Sequence, residues 1–404
     1  MNAICLIVDR LHAGYLGAYG NAWVETPAID RLASQSLVFD QHLIDSPQLD
    51  RLYRSYWHGL HAMCDRAVPA ERLSLPALVR TAGVATTLLT DEPQVARHPL
   101  AADFDALVEL DPAWQPQVAA AIEETHLARC FVEILEWLPT ARPPFLLWTH
   151  LTGLGGTWDA PLDFRRAYQE AGDPDPPESA EVPDRTLAEK FDPDELLGIS
   201  HAYAGQVSLF DSCLGAMLDA FADGPLAADT VLVVASSRGF PLGEHGRVGT
   251  CDDALYGELV HVPLLVRMPD GAAAALRSPS LVEPSDLWAT LLEIWNVAAP
   301  PVPTALSLLP ELRESALLSR DRLCTTVPGR QRSIRTPAWY LREEKRLELF
   351  AKPDDRFEVN DVSNRCLEVA ECLRDATVEF EQTVQHGQAA DLPALSDVLR
   401  EGLE

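Results

Sequence analysis

The sequence AICLIVDR, residues 3–10, decides the fold. It is a nearly continuous apolar run that ends in Asp9 and is followed by Arg10. Such a run is typical of a strand that is buried on both faces of a parallel sheet. Ligands of parallel α/β sheets bind beyond the carboxyl ends of the strands. Asp9 and Arg10 are therefore predicted to lie at the edge of the sheet where a site would form.

Four further apolar runs resemble this first one. They cover residues 85–90, 145–150, 230–235 and 262–267. Between the runs, apolar residues at spacings of three and four predict helices over 116–138 and 194–221. Strands that alternate with helices predict an α/β fold, with a mostly parallel central sheet flanked by helices.

The chain is predicted to have two parts. Residues 1–319 form the α/β domain, and residues 320–404 form a small C-terminal α+β subdomain. Within the second part, strand patterns cover 333–341 and 347–350, and a closing helix is expected over 363–385.

Charge and composition exclude several classes of function. The 404 residues carry 61 acidic against 32 basic side chains and a net charge of −29, which disfavours nucleic acid as a partner. The sequence contains no run of 18 apolar residues, the length that a membrane-spanning helix needs, so no membrane partner is expected. The N-terminus enters a strand without the features of a signal peptide. The eight cysteines show no Cys-x-x-Cys spacing, so reduced thiols and a cytoplasmic location are expected.

Three blocks of sequence follow one another along the chain. The first joins LIVDR (6–10), YLGAYG (15–20) and TPAIDRLA (26–33), the second joins LGEHG (242–246) and VPLLVRMP (262–269), and the third joins IRTP (334–337), WYL (339–341) and ELF (348–350). Together they resemble the sulfatase family of the alkaline phosphatase superfamily. The resemblance covers almost the whole chain and implies that family's α/β fold.

The resemblance also implies a chemistry. Family members hydrolyse sulfate esters with a formylglycine made from the Cys or Ser of a Cys/Ser-x-Pro-x-Arg motif, and a divalent cation stabilises charge on the reacting oxygens. Here the nucleophile position falls on Leu49 and the motif arginine on Tyr53. A register shifted by one residue places Asp50 and Arg54 there instead. The plainer interpretation of Asp50 is an N-cap of the following helix.

The metal ligands that the resemblance implies are replaced as well. Asp9 is retained, but its neighbour is Arg10, and the second pair, usually Asp-His or Asp-Asn, is Ser237 and Arg238. A hard cation needs several oxygens and more than one negative charge, so Asp9 alone predicts no bound metal. No cofactor is expected, and Ca²⁺ or Mg²⁺ enters only if the chain is an altered hydrolase.

The two arginines themselves suggest a substitute for the cation. Arg10 and Arg238 each follow a strand that ends at the same edge, and they are predicted to pair with Asp9. If guanidinium groups exceed acids there, the pocket attracts a small anion such as sulfate or phosphate. The predicted ligand-binding residues are Asp9, Arg10, Arg54, Ser237 and Arg238.

Three functions remain open from the sequence. The first is a catalytically inactive sulfatase-like protein that serves as a binding or scaffolding module, with an unknown protein partner. The second is a hydrolase of sulfate or phosphate esters with an altered site, for which the candidate catalytic residues are Asp50, His150 and His245. The third is a conventional sulfatase, which the lack of a Cys/Ser-x-Pro-x-Arg string in the first 100 residues disfavours.

Overall fold

The computed structural model describes residues 1–66, 72–112, 116–302, 304–386 and 392–402. The strands are β1 (Asn2–Val8), β2 (Leu37–His42), β3 (Ala85–Thr90), β4 (Ala106–Glu109), β5 (Phe145–Leu151), β6 (Arg185–Thr186), β7 (Thr230–Ser236), β8 (Arg247–Val248), β9 (Leu264–Arg267), β10 (Leu276–Val282), β11 (Leu323–Val327), β12 (Gln331–Arg335), β13 (Trp339–Glu343) and β14 (Leu347–Ala351). The α-helices are α1 (Pro27–Ala33), α2 (Leu49–His58), α3 (Leu75–Arg80), α4 (Pro93–Ala96), α5 (His126–Trp137), α6 (Leu162–Arg166), α7 (Pro193–Ala222), α8 (Gly257–Val260), α9 (Pro284–Ile294), α10 (Leu309–Glu314), α11 (Leu367–His386) and α12 (Asp397–Glu401).

Strand β1 lies inside an eight-stranded sheet with the order β10-β2-β9-β7-β1-β5-β3-β4. It pairs in parallel with β5 and β7, and Val8 lies opposite Leu151 on one side and Ser236 on the other. The three strands therefore end together. Strand β9 runs antiparallel to both of its neighbours. The predicted mostly parallel α/β sheet is confirmed.

The continuous apolar run of β1 is explained by burial on two faces. Ala3, Cys5 and Ile7 belong to one core cluster, and Ile4, Leu6 and Val8 belong to another. Helices α2 and α9 supply residues to the first cluster, and α5 and α7 supply residues to the second. Apolar residues are thus needed at every position of β1, because helices cover the sheet on both sides.

The helix predictions fared differently. The prediction over 194–221 is confirmed by α7. The prediction over 116–138 is wrong in its first part, since α5 begins at His126. The backbone of Val118 and Ala119 instead donates hydrogen bonds to the carbonyls of Glu178 and Asp159, which holds this segment in a loop. Thr125 then caps α5 by accepting from the amide of Ala128.

A second, antiparallel sheet follows in the C-terminal part, with the order β11-β12-β13-β14. This sheet confirms the predicted small C-terminal α+β unit. The single strand predicted over 333–341 is wrong, because the structure has two strands there, β12 and β13. Val327, Tyr340 and Phe350 of this sheet also enter the main core. The division at residues 319 and 320 stays a prediction. In the described ranges, no helix is both long enough and apolar enough to cross a bilayer.

Candidate functional site

The carboxyl ends of three adjacent parallel strands bring polar residues together. Asp9 follows β1, His150 lies one residue before the end of β5, and Ser237 and Arg238 follow β7. All four side chains are buried. The sequence predicted this meeting from the direction of the strands.

Arg238 binds the carboxylate of Asp9 through two of its nitrogens. Its Nε donates to Oδ1 at 3.0 Å and its Nη2 donates to Oδ2 at 2.5 Å. Ser237 Oγ donates a third hydrogen bond to Oδ1 at 2.6 Å. A two-pronged contact between a guanidinium and a carboxylate is the strongest form of this ion pair. Both oxygens of Asp9 are therefore already engaged by the protein itself.

Arg10 completes a group of four charges. Its Nε lies 3.7 Å from Asp9 Oδ2, and its Nη2 lies 2.5 Å from Asp252 Oδ1. Arg238 Nη1 also reaches Asp252, at 2.9 Å from Oδ2. We call Asp9, Arg10, Arg238 and Asp252 the charge cluster. It holds two positive and two negative groups, so it is balanced, and the excess of arginine that would by itself attract an anion is not found.

The backbone at Arg10 is strained to hold this geometry. Its φ is 64°, in the left-handed region that bulky residues rarely adopt. Tyr203 stabilises the turn, because its hydroxyl donates to the carbonyl of Arg10 at 2.6 Å and accepts from the amide of His12 at 2.9 Å. The guanidinium of Arg10 is thereby directed inwards, beneath the surface.

The electrostatics of the cluster favour charged side chains. Burial alone would raise the pKa of Asp9, but the charges of Arg238 and then Arg10 lower it far below its ordinary value. The carboxylate in turn raises the pKa of Arg238, against the effect of burial. Asp9 is thus ionised throughout the neutral range.

His150 makes a separate contact with Tyr53. Its Nδ1 lies 2.6 Å from the Tyr53 hydroxyl, and both side chains are fully buried. Tyr53 packs against Trp57, with ring centroids 4.4 Å apart, so aromatic rings fill the space beside the histidine. Burial lowers the pKa of His150 to about 4. Its Nε2 has no hydrogen-bond partner among the described residues.

The structure does not bring Asp50 and Arg54 to the charge cluster. Helix α2 begins at Leu49 with Gln48 as its N-cap, so the interpretation of Asp50 as the N-cap is wrong. The carboxylate of Asp50 is 73% exposed and lies 3.6 Å from His98. Arg54 Nη2 contacts the carbonyl of Arg66 at 3.4 Å. One residue turns a helix by about 100°. Because Leu49 and Tyr53 are buried, the residues that follow them, Asp50 and Arg54, are directed towards solvent.

His245 also lies apart from the cluster. Its Nδ1 is 2.8 Å from Glu258 Oε1, and its Nε2 is 3.1 Å from the carbonyl of Glu358. Its ring stacks on Tyr256 at 3.5 Å. Burial opposes protonation of His245, but the hydrogen bond and charge of Glu258 raise its pKa. With both nitrogens engaged, His245 holds a turn in place.

Sequence reasoning missed Asp252, which comes from a loop with no strand or motif to mark it. Asp252 also lines a cavity of about 550 Å³. The arginines of this cavity are Arg185, Arg247 and Arg330. Arg247 pairs with Asp253 at 2.8 Å, and Arg330 lies 3.8 Å from the same carboxylate. The cavity therefore has a lining of mixed charge next to the charge cluster.

The family model described as Sulfatase matches residues 1–297. The chain belongs to the sulfatase family. It is 24% identical to iduronate 2-sulfatase from Homo sapiens over 344 residues, which cover 68% of this chain and 60% of that relative. It is 32% identical to arylsulfatase K from Mus musculus over 120 residues, or 30% of this chain and 21% of that one. The sulfatase-family chain thus spans about 60% of the human relative's length.

Solved structures share the sulfatase-like fold. A phosphonate monoester hydrolase from Agrobacterium radiobacter superposes with a TM-score of 0.77 at 17% identity, covering 95% of each chain. A protein solved with its substrate D-glucosamine-2-N,6-O-disulfate superposes with a TM-score of 0.77 at 16% identity, covering 96% of this chain and 99% of that one. At such identities the likeness concerns the fold alone.

The charge cluster does not fit the divalent cation that the sulfatase family implies. Such an ion prefers six or more oxygen ligands or a near-octahedral oxygen shell. Here the carboxylate of Asp9 is already bound by Arg238 and Ser237, and Asp252 is paired with Arg10. Two guanidinium groups would also repel the ion at close range. The donor set therefore suits a salt-bridge network and not Ca²⁺ or Mg²⁺.

An Asp9→Asn substitution is expected to lower the free energy of unfolding by about 3–5 kcal/mol, because it leaves buried guanidinium groups without their counter-charge. Urea denaturation at neutral pH measures the change. The matched control is Asp252→Asn, whose side chain is 38% exposed, so water replaces part of the lost interaction and the loss is smaller. Equal losses for the two variants would contradict the central role of Asp9.

His150 is expected to stay neutral at pH 6, because burial lowers its pKa to about 4. The unfolded chain then binds more protons than the folded one between about pH 4 and 6.5, so this residue adds stability as the pH rises through that window. Nitrogen chemical shifts of the ring measure the titration. His245, with its raised pKa, is the internal control. A His150 pKa near the ordinary value for histidine would show that the ring is not buried in solution.

Proposed function

We propose that this chain is a sulfatase-family protein without sulfate-ester hydrolase activity, and that it works as a binding module. The observation that carries the proposal is the two-pronged pair of Arg238 on Asp9, which occupies the carboxylate that a cation would need. Two arginines in the charge cluster supply positive charge at this edge without any metal. On this proposal the arginines stabilise the strand ends in the place of a cation, and the protein lacks metal-assisted catalysis.

The position that the resemblance assigns to the nucleophile supports the same proposal. It carries Leu49, a buried residue with no lone pair to attack sulfur. Tyr53, four residues on, directs its hydroxyl to His150 at the buried end of β5. A nucleophile must lie within reach of both a base and the substrate. In this arrangement the side chains that face the strand ends are closed off from solvent.

The ligand is proposed to be a small molecule that carries a sulfate or phosphate group. The cavity of about 550 Å³ is lined by three arginines and three aspartates, and guanidinium groups suit such oxyanions. The charge cluster beside it is balanced, but Arg10 Nη1 is buried without a hydrogen-bond partner among the residues described. Because Arg10 is buried and does not line the cavity, the ligand is proposed to contact the cavity arginines. A solved structure with a similar fold holds a disulfated sugar, which makes a sulfated sugar a reasonable probe.

A cytoplasmic location remains part of this proposal. All eight cysteines are free thiols, and five of them, Cys5, Cys64, Cys130, Cys213 and Cys324, are buried. Free thiols are typical of a reducing compartment.

One observation favours an altered hydrolase as the second candidate. His150 is neutral at pH 7 and its Nε2 has no hydrogen-bond partner within the described ranges, which are the properties of a general base. Against this, its ring is fully buried. Hydrolysis would therefore require Tyr53 to move aside and admit substrate and water.

The purified protein is expected to hydrolyse neither 4-nitrophenyl sulfate nor 4-nitrophenyl phosphate above the buffer rate, with or without added Ca²⁺, Mg²⁺ or Mn²⁺. These cations are also expected to leave the melting temperature unchanged, because the charge cluster has no free oxygens for them. An active sulfatase-family enzyme is the positive control. Turnover that disappears in an Asp9→Ala variant would overturn the proposal, and turnover that disappears only in His150→Gln would support the altered hydrolase.

Ligand binding is tested separately by calorimetry with sulfate, phosphate and D-glucosamine-6-sulfate. Binding is expected for the intact protein and should weaken about tenfold in Arg247→Ala, because one charge-assisted contact is lost. Arg374→Ala is the matched control, since this exposed arginine lies on α11 and pairs with Asp375. Equal effects of the two substitutions would exclude the cavity as the binding place.

A further inference from the structure

We propose that Asp91, His126 and Cys130 form a zinc-binding site in the interior of the α/β domain. Asp91 is the first residue after β3, and His126 and Cys130 lie four apart on α5, which places their side chains on one face of the helix. None of the three belongs to the charge cluster. The inference does not depend on the function proposed above.

The distances between the donor atoms suit a small tetrahedral ion. Cys130 Sγ lies 3.6 Å from His126 Nε2 and 3.9 Å from Asp91 Oδ2. Zinc bonds of about 2.0–2.3 Å at tetrahedral angles separate such donors by roughly 3.3–3.6 Å. His126 Nε2 and Asp91 Oδ2 are 2.6 Å apart. This contact is a hydrogen bond. An ion bound by both atoms would replace it and move the nitrogen and the oxygen apart by less than about 1 Å.

The direction of the contacts favours an ion over a catalytic relay. In a nucleophile–histidine–acid relay, the nucleophile and the acid contact opposite nitrogens of the ring. Here Cys130 and Asp91 both face the same nitrogen, Nε2 of His126. The three donor atoms therefore lie close together, with each atom within 4.8 Å of the others.

Charge balance favours zinc binding at this buried site. All three residues are buried, and the ionisable groups in contact with the Asp91 carboxylate are His126 and Cys130. A zinc ion held by the Asp91 carboxylate, the Cys130 thiolate and a neutral His126, with a water molecule as its fourth ligand, would be electrically neutral, which suits the interior. Binding releases the Cys130 thiol proton to solvent, while the His126 ring proton moves to Nδ1.

Neighbouring groups already hold two of the ligands in place. The Thr152 amide donates to Asp91 Oδ1 at 2.7 Å, and the Thr152 hydroxyl donates to Oδ2 at 2.6 Å. Asp159 Oδ2 accepts from the His126 amide at 2.6 Å, which fixes the start of α5. Such outer contacts orient metal ligands and strengthen binding. The site would join the end of β3 to α5 through one ion.

The test uses the full chain, stripped with a chelator and dialysed against Zn²⁺ or Co²⁺. We expect one equivalent of zinc by elemental analysis, a cobalt–thiolate charge-transfer band in the near ultraviolet, and a melting temperature that rises with zinc concentration. Cys130→Ser should abolish the cobalt band and weaken zinc binding at least tenfold. Thr152→Val, which removes a supporting hydrogen bond, should weaken zinc binding about 10–100-fold.

Cys372→Ser is the matched control, because it removes an exposed thiol on α11 and should leave both the stoichiometry and the band unchanged. Substoichiometric zinc in the intact protein, or a cobalt band that survives Cys130→Ser, would overturn the proposal. If Cys130→Ser fails to fold, Thr152→Val keeps the assignment of the site testable, because it leaves all three ligands in place. Since Ca²⁺, Mg²⁺ and Mn²⁺ all prefer oxygen ligands to thiolates, the outcome is independent of the cation test at the charge cluster.

Discussion

The ion pair between Asp9 and Arg238 is the interaction on which the rest of the site depends. Both groups are buried at the end of the central strand, where an unpaired charge would cost several kcal/mol. The pair is tolerated because its remaining bonding capacity is used, by Ser237 on one side and Asp252 on the other. The strained backbone of Arg10 then makes sense as the means of bringing in the second guanidinium.

Two arginines are a different solution from a divalent cation, even where the charge is the same. A cation can exchange ligands and take up a substrate oxygen, whereas each guanidinium is tethered to the chain and pairs with a fixed planar geometry. On our proposal, the charge cluster therefore preserves the shape of the strand ends while removing the chemistry. Any remaining recognition moves outwards to the arginines of the neighbouring cavity.

His150 lies between the charge cluster and the group of Asp91, His126 and Cys130. Burial lowers its pKa, while the carboxylates of Asp9 and Asp91 oppose that effect and Arg238 adds to it. Strands β1, β5 and β3 are neighbours in the sheet, so two polar centres share one carboxyl edge. Tyr53 is itself fully buried and contacts His150 at this edge.

Much of this arrangement could be predicted from sequence, because short-range patterns determine it. Apolar runs indicate parallel strands, parallel strands end at one edge, and so Asp9, Arg10, Ser237 and Arg238 had to meet. The tertiary structure alone decided that Asp252 would balance the arginines, that α2 would turn Tyr53 inwards and Asp50 outwards, and that Cys130 and His126 would face Asp91. Those contacts join residues far apart in the chain through loops and helix rotations, and no local periodicity encodes them.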